Sequence, residues 1–219
     1  MKCIRRATRD DAAEIASLRL SEYSGAKEFT LVEPTLLLWN ENDDRDVVLA
    51  AWDECGKAIS TMRGGIARDR REAEGRLQLK LPDEYVFPAL ILDRGATKKE
   101  YRGKGLNSAL RYLFFLSILD LPVRSVLGAV YDKAPRVETM KSLGYTSSIP
   151  SENVQAHVRG NVALIVTYLE HSRIRDACVT LKEMVEPVLN EYPSCGDPVK
   201  FEIQGYTQMP STGLMGVQL

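Results

Sequence analysis

The chain has 219 residues, enough to bury a sizeable core, and its charges nearly cancel, with 29 lysines and arginines against 30 aspartates and glutamates. This balance argues against a nucleic-acid-binding protein, and the apolar runs are too short to span a bilayer. The four cysteines are scattered without a CxxC pair and there are only two histidines, which argues against a zinc framework and a disulfide scaffold. We therefore expect a soluble, cytoplasmic protein that binds no metal, no nucleic acid and no membrane.

The first part of the chain alternates between strand-like and helix-like patterns. Apolar residues at helical spacing, among them Ile15 and Leu18, predict a helix after the first strand. The elements predicted there are, in chain order, a strand at 2–7, a helix from Asp10 or Asp11, a short helix from Pro34, an acidic loop at 40–46, strands at 47–53 and 58–67, and a solvated helix or excursion at 68–84.

The middle of the chain alternates more regularly. The predicted elements are a strand at 88–97, a helix that ends near residue 120, a strand at 125–131, a helix at 134–143 capped by Gly144, and a closing strand at 162–170. Strands that alternate with helices here, together with the paired strands earlier, predict a mixed α/β sheet in one layered domain.

The pattern changes from His171 onward. Apolar residues recur at i, i+3, i+4 and i+7 and predict an amphipathic helix, which docks either on the domain or on a partner subunit. The last residues contain several prolines and glycines, and we expect an extended tail with one strand at 199–204. We therefore divide the chain into a domain at 1–170 and a helix with a tail at 171–219, and we expect any homodimer to form through this helix.

Residues 97–111, TKKEYRGKGLNSALR, place a small cationic turn between a strand and a helix. The first N–H groups of a helix lack intrahelical partners and lie at the positive end of its dipole, so a phosphate is the natural occupant of such a turn. The stretch contains neither GxxxxGK[ST] nor GxGxxG, which argues against a P-loop and a Rossmann turn. An ordinary strand–helix turn with solvated lysines stays open as an alternative.

The order of these features resembles the GNAT superfamily, the Gcn5-related N-acetyltransferases, over residues 3–170. Arg102 to Asn107 match the family's (Arg/Gln)-x-x-Gly-x-(Gly/Ala) turn except at Asn107, where Gly or Ala is usual. Residues 134–145 resemble the family's fourth helix and its closing Leu-Gly-Phe, with Tyr145 in place of Phe. The resemblance implies an α/β fold with a mixed, mostly antiparallel central sheet flanked by helices, followed by a C-terminal helical extension.

The resemblance also implies where an acyl-CoA binds. Its pyrophosphate would lie on the amides of residues 103–107, and its pantetheine arm would follow the strand edge at 95–97. The family's fourth and fifth strands, here 88–97 and 125–131, splay apart around the thioester, and an amine acceptor would approach from the side of the first helices and 47–67. The implied cofactor-binding residues are Gly95, Ala96, Thr97, Arg102, Gly103, Lys104, Gly105, Leu106 and Asn107.

Acyl transfer to an amine needs a base, and the candidate bases by position are Asp93 and Glu100. Asp93 is the better candidate, because the family often places a carboxylate at this point of its fourth strand. The alternative is that Asp93 is exposed or paired with its neighbour Arg94. Glu100 is expected to face water or to pair with Arg102.

The family's usual acid is a tyrosine four residues before the closing glycine, and this chain has Met140 at that position. Tyr131, at the end of a predicted strand, is the substitute candidate, because a phenol there could point at the sulfur atom of the thioester. Departure of the thiolate without an acid also stays open, since a free thiol has a pKa of about 8.5.

We therefore predict an N-acyltransferase that moves an acetyl or other acyl group from acetyl-CoA, or another acyl-CoA, to the primary amine of a small molecule or peptide. Two alternatives stay open: a long-chain N-acyl amino acid synthase that uses acyl-CoA or acyl carrier protein, and a non-catalytic protein that senses acyl-CoA. Turnover with any amine separates the enzymes from the sensor, and the donor chain length separates the two enzymes.

Overall fold

One seven-stranded sheet organises the protein in the computed structural model, which describes residues 1–24, 34–131, 134–148 and 164–201. The strands are β1 (Cys3–Arg6), β2 (Val47–Trp52), β3 (Ala58–Ala67), β4 (Ala89–Thr97), β5 (Ser125–Tyr131), β6 (Thr146–Ser148) and β7 (Leu164–Glu170). The helices are α1 (Ala12–Ser24), α2 (Glu41–Arg45), α3 (Arg70–Leu77), α4 (Leu106–Ile118), α5 (Arg136–Ser142) and α6 (His171–Glu191). Short 3₁₀ helices lie at Arg9–Asp11, Pro34–Leu37 and Lys99–Tyr101.

The strand order across the sheet is β1-β2-β3-β4-β5-β7-β6. In the part of the chain that the structure describes, β4 and β5 pair in parallel, and every other neighbouring pair is antiparallel. The parallel pair follows from the crossover through α4, because parallel strands need a long connection between them. The predicted mixed, mostly antiparallel sheet flanked by helices is confirmed.

Helices cover both faces of the sheet. On one face, Phe114 and Phe115 of α4 are completely buried in the largest core cluster. On the other face, Ile15 and Leu18 of α1 pack in a second cluster with Val48 of β2. The middle of the sheet is therefore shielded from water on both sides, and all six residues of β2 are buried.

The C-terminal helix α6 packs against its own domain. Its buried apolar side chains belong to the same core cluster as those of α4, and they include Ile174, Leu181 and Val188. Of the two alternatives that the sequence left open, docking on the domain is the one observed. Val179 and Met184 are the large apolar side chains of α6 that stay exposed. A homodimer through this helix stays a prediction, as does the domain boundary at residue 170.

The acidic segment 40–46, which we predicted as a loop, is folded as α2. Asn40 caps this helix, because its side chain accepts a hydrogen bond from the N–H of Asn42, and Asp43 accepts one from the N–H of Asn40. This reciprocal capping satisfies N–H groups that a first helical turn leaves unpaired. Asp43 is also buried, so the segment is partly inside the protein and is not simply a solvated loop.

Two further elements differ from the sequence-based expectations. Strand β6 was not predicted; it is three polar residues long and pairs with β7. The strand expected at 199–204 is absent over 199–201, and its remaining residues lie outside the described part of the chain.

All four cysteines are free thiols. No helix within the described ranges has the length and apolar character needed to cross a membrane. Over the same residues, no group of three or more His, Cys, Asp or Glu side chains is arranged to hold a metal ion.

Candidate active site

The parallel pair of β4 and β5 opens into a gap. Residues 89–91 of β4 pair with residues 125–127 of β5, and the pairing stops there although both strands continue. The splay implied by the resemblance is therefore present. A cavity of about 80 Å³ lies in the gap. Its lining residues are Tyr23, Met62, Leu92, Asp93, Arg94, Gly95, Arg111, Gly128, Ala129, Val130, Arg136 and Met140.

Strand β4 bulges where it passes this cavity. Thr61 of β3 pairs with Ala96, whereas Arg63 pairs with Asp93, so two residues of β4 lie opposite one residue of β3. Within the bulge, Arg94 has a φ of 51°, a left-handed conformation that residues other than glycine seldom adopt. A bulge changes the direction of the side chains around it, and here both Asp93 and Arg94 line the cavity.

The predicted glycine turn lies between β4 and α4. Gly103 and Gly105 have φ angles of 76° and 81°, and α4 begins at Leu106. A Cβ atom on Gly105 would lie 2.9 Å from a methyl group of Val188 in α6, so this position has no room for a side chain. A Cβ atom on Gly103 would meet nothing within 4 Å. The turn thus leaves open space beside the first N–H groups of α4, where an anion can bind.

The two cationic side chains of the turn each have a neighbour. Arg102 forms an ion pair with Glu22 of α1 at 2.6 Å, and its Nε donates to the carbonyl oxygen of Thr97 at 3.2 Å. The ammonium group of Lys104 lies 4.8 Å from the centre of the Tyr101 ring. Arg102 therefore ties the turn to β4 and α1.

The strand edge predicted to bind pantetheine borders the gap. Ala96 and Thr97 pair with β3 on one side, and β5 pairs with β4 only over 89–91. Gly95 lines the cavity, and its carbonyl oxygen accepts a hydrogen bond from the Tyr23 hydroxyl at 3.3 Å. A Cβ atom on Gly95 would lie 3.3 Å from the side-chain nitrogen of Asn107. The fold therefore brings Gly95 and Asn107 together, although they are separated by the whole turn.

Asp93 is held by Arg63 through two hydrogen bonds, from Nε at 2.8 Å and from Nη2 at 2.7 Å. Arg63 also lies 3.7 Å from Asp43 and 3.8 Å from Asp46. Burial acts to lower the pKa of Arg63, but the hydrogen bonds to Asp93 and the charges of Asp43 and Asp46 outweigh it, and the pKa is raised. Asp93 thus pairs across the sheet, and not with its neighbour Arg94. Its carboxylate retains acceptor positions for a further ligand, since a carboxylate has about four of them.

Glu100, the second candidate base, lies in the 3₁₀ helix Lys99–Tyr101 and is exposed. It is not among the residues that line the cavity. Arg102, which we considered as its partner, is paired with Glu22 instead. Its exposure matches the expectation that it faces water.

Of the two positions considered for the acid, Met140 lines the cavity and Tyr131 is not among the lining residues. Met140 of α5 is buried and lines the cavity, and its thioether has no proton to donate. Tyr131 ends β5 directly after Val130, a lining residue, and is near enough to Arg136 to act on its charge. Tyr23 of α1 also lines the cavity and was not identified from the sequence, because nothing in the pattern of α1 marks it among other partly buried positions.

Other charged residues of the site were also missed. Arg63 lies in a strand whose other positions are apolar or small. Since a buried arginine normally has a charged partner, this position in the sequence could have indicated an ion pair inside the protein. Arg94, Arg111 and Arg136 line the cavity from three different elements. Arg111 interrupts the apolar stretch of α4, which is a weaker signal of the same kind.

A seven-stranded mixed sheet, a splayed parallel strand pair and a glycine turn at the start of the following helix together define the GNAT acyltransferase type of fold. This protein has that fold.

Comparison with known proteins agrees with this assignment at the level of structure. No protein-family model matches the sequence, and no curated protein matches it. An N-acetyltransferase from Staphylococcus aureus Mu50 superposes with a TM-score of 0.55 at 11% identity, over 78% of this chain and 99% of that chain. The ribosomal-protein-S18-alanine N-acetyltransferase from Escherichia coli gives a TM-score of 0.53 at 14% identity, over 78% and 94%.

A third structure covers more of this chain. BjaI, a CoA-dependent acyl-homoserine lactone synthase solved with methylthioadenosine (MTA), gives a TM-score of 0.59 at 14% identity, over 92% of this chain and 96% of that chain. At sequence identities this low, the three superpositions establish a shared fold and nothing further.

Proposed function

We propose that the protein is an N-acyltransferase that moves an acyl group from acyl-CoA to a primary amine. The observation that carries the proposal is the position of the open glycine turn, at the start of α4, beside the splayed end of β4 and β5. A phosphate bound at the turn and a thioester in the gap would lie on one continuous path along residues 95–107. Acetyl-CoA is the simplest donor.

The reaction forms a C–N bond and breaks a C–S bond. The amine nitrogen attacks the thioester carbonyl and loses a proton, and the departing sulfur gains one. We assign the base to Asp93, which lines the cavity and is oriented by Arg63. We assign the acid to Tyr131, and Glu100 is a second base candidate that its exposed position makes weaker. Cofactor contacts are proposed for the residues of β4 and of the turn that the sequence indicated.

Donor binding at the turn is tested by Gly103→Glu. The new carboxylate would occupy the open space beside the first N–H groups of α4 and repel the pyrophosphate. We expect CoA to bind at least about tenfold more weakly by calorimetric titration, which corresponds to about 1.4 kcal/mol.

The matched control for this variant is Gly56→Glu. Gly56 also has a positive φ, 73°, and a Cβ atom there would also meet nothing within 4 Å, but it lies in the β2–β3 turn. Both variants therefore carry the same backbone strain and the same added charge. Equal CoA affinity in the two variants would contradict the proposed phosphate position.

The acid is tested by Tyr131→Phe, which removes one hydroxyl group and little volume. A general acid contributes about 10²- to 10⁴-fold, so we expect turnover to fall at least tenfold while the donor KM stays unchanged. Tyr23→Phe is the comparison, because the Tyr23 hydroxyl bonds the carbonyl of Gly95, and its loss is expected to raise the donor KM more than it lowers kcat. Unchanged turnover in Tyr131→Phe would mean that the thiolate leaves without this acid.

A second candidate is an enzyme of the N-acyl amino acid synthase type with a longer acyl donor. The observation in its favour is coverage: the BjaI structure with S-adenosylmethionine (SAM) and isopentyl-CoA aligns with 92% of this chain, against 78% for the acetyltransferases above. Rates with acetyl-CoA, a branched five-carbon acyl-CoA and an acylated carrier protein separate the two candidates. Binding of acyl-CoA without turnover on any amine would favour the sensor alternative. A homodimer and a cytoplasmic location stay predictions.

A further inference from the structure

The cavity between β4 and β5 has an excess of positive charge. Among the residues that the structure describes, three arginines line it, Arg94, Arg111 and Arg136, together with one carboxylate, that of Asp93. Both oxygens of this carboxylate already accept hydrogen bonds from Arg63, which comes from the neighbouring strand β3. Asp93 is therefore held by Arg63, and no second carboxylate among the described residues lines the cavity beside the three arginines.

The lining arginines have few partners of their own. Arg111 donates from Nη1 to the hydroxyl of Tyr145 at 2.9 Å, which is an uncharged partner. Over the residues that the structure describes, no hydrogen bond or ion pair joins Arg94 or Arg136 to any acceptor. The Nε atom of Arg136 is buried and has no hydrogen-bond partner in the described part of the chain.

This arrangement is unfavourable in the absence of a ligand. Burial lowers the pKa of both Arg94 and Arg136, because it disfavours their charged forms. Arg94 additionally has a left-handed backbone within the bulge. Arg94 and Arg136 are only partly buried as whole residues. Strained residues and half-buried charges without a counter-ion are concentrated at binding sites, where a ligand supplies the missing partner.

We propose that this cavity binds a carboxylate group carried by one of the two substrates, with Arg136 and Arg94 as its specificity-determining partners. The inference rests on the proposed acyltransferase function. A carboxylate suits the site because it is planar and can accept two parallel hydrogen bonds from one guanidinium group. The volume of about 80 Å³ admits such a small group. The phosphates of CoA are proposed to bind elsewhere, at the glycine turn.

The carboxylate can belong to either substrate. The donor carries the carboxylate when its acyl group comes from a dicarboxylic acid, of which one end forms the thioester with CoA and the other end is free. Its source is the acceptor when the amine is an amino acid. Both substrates reach the gap between β4 and β5, so the chemistry is shared and the experiment distinguishes the two sources.

The experiment compares matched substrates that differ in the carboxylate. The donor pair is succinyl-CoA and butyryl-CoA, and the acceptor pair is a set of amino acids and the corresponding amino acid amides. We measure kcat/KM for each member, and we also measure calorimetric binding of each donor, and of each acceptor to the CoA-bound protein. In one of the two pairs, we expect the parent's kcat/KM to be about tenfold or more higher for the substrate with the carboxylate. This is the size of effect that a hydrogen bond to a charged group produces.

Arg136→Met tests the assigned partner, because it removes the charge and keeps a long side chain. This variant should abolish the preference, because it lowers kcat/KM and binding affinity only for the substrate that carries the carboxylate. Arg136→Lys keeps a positive charge and should show part of the parent's preference. Since no acceptor is lost, the melting temperature of Arg136→Met without ligand should equal or exceed that of the parent. Arg175→Met on the exposed surface of α6 is the control and should preserve the preference.

The outcomes separate this inference from the proposed function. Turnover without a carboxylate preference in either pair, or a preference that Arg136→Met leaves intact, overturns the inference and leaves the acyltransferase standing. A preference in calorimetric binding without turnover on any amine overturns the acyltransferase and supports the carboxylate site. A melting temperature of Arg136→Met clearly below that of the parent would reveal a structural role for Arg136 and would contradict the inference.

Discussion

Asp43→Asn is expected to lower the free energy of unfolding by about 3–5 kcal/mol, the usual cost of removing one partner from a buried ion pair. Asp43 and Arg19 are both completely shielded from solvent, and Arg19 donates to the two oxygens of Asp43 at 2.7 and 3.2 Å. Asparagine keeps the shape and can still accept the capping bond from Asn40. The variant therefore leaves a buried cation without its anion, and denaturant unfolding followed by circular dichroism measures the loss.

Two further variants identify the cause of the loss. Asp44→Asn makes the same change one residue later in α2, where the partner Arg9 is exposed, and it should change stability little. Arg19→Met should cost less than Asp43→Asn, because Asp43 keeps Arg63 at 3.7 Å. Equal losses in Asp43→Asn and Asp44→Asn would mean that α2 as a whole, and not the buried pair, determines the effect.

The buried pair is part of a larger ionic network beside the candidate active site. Arg63 connects Asp43 of α2 to Asp93 of β4, and Asp46 pairs with Arg76 of α3 at 2.6 Å. Burial raises the pKa of Asp46, although its hydrogen bond from Arg76 and the charge of Arg63 act in the opposite direction. The network links α2 and α3 to the strand that carries the candidate base. Its stability and the orientation of Asp93 are therefore coupled.

The glycine turn was predictable from the sequence because the features that define it are local. Gly103 and Gly105 supply the two positive φ angles, and the apolar pattern of α4 begins directly after them. Strand β3 was predicted at its observed limits for the same reason, since its mostly small and apolar residues follow a tight turn that contains Gly56. Short-range patterns of this kind determined most of the element order.

The ionic network could not be predicted, because its partners are far apart in the chain. Arg19 of α1 meets Asp43 of α2 although 24 positions separate them, and Arg63 meets Asp93 through the register of β3 and β4. A sequence shows the charges but not the pairs, so the sequence predicts only an acidic loop at 40–46. The bulge that directs Arg94 into the cavity also depends on this register, and the adjacent glycine was its one local signal.

Asp93→Asn is expected to lower the maximal rate of acyl transfer about 100-fold while the donor affinity stays nearly unchanged. Asparagine can still accept a hydrogen bond from Arg63, but it cannot take a proton from the amine. Arg63 keeps Asp43 and Asp46 within 4.0 Å, so the fold around it should persist. Steady-state kinetics with saturating donor measures the rate, and calorimetric titration of CoA measures the affinity.

Two controls distinguish proton transfer from a change in local charge. Glu100→Gln removes the exposed candidate and should have a mild effect. Asp46→Asn removes a negative charge 3.8 Å from Arg63, at a position that is not among the residues lining the cavity. If Asp93 accepts the proton, directly or through a water molecule, Asp46→Asn should retain most of the rate that Asp93→Asn loses.

A rate for Asp93→Asn within about threefold of the parent would remove Asp93 from the mechanism, since a working base contributes far more. Equal losses in Asp93→Asn and Asp46→Asn would instead identify Asp93 as a positioning residue that acts through Arg63.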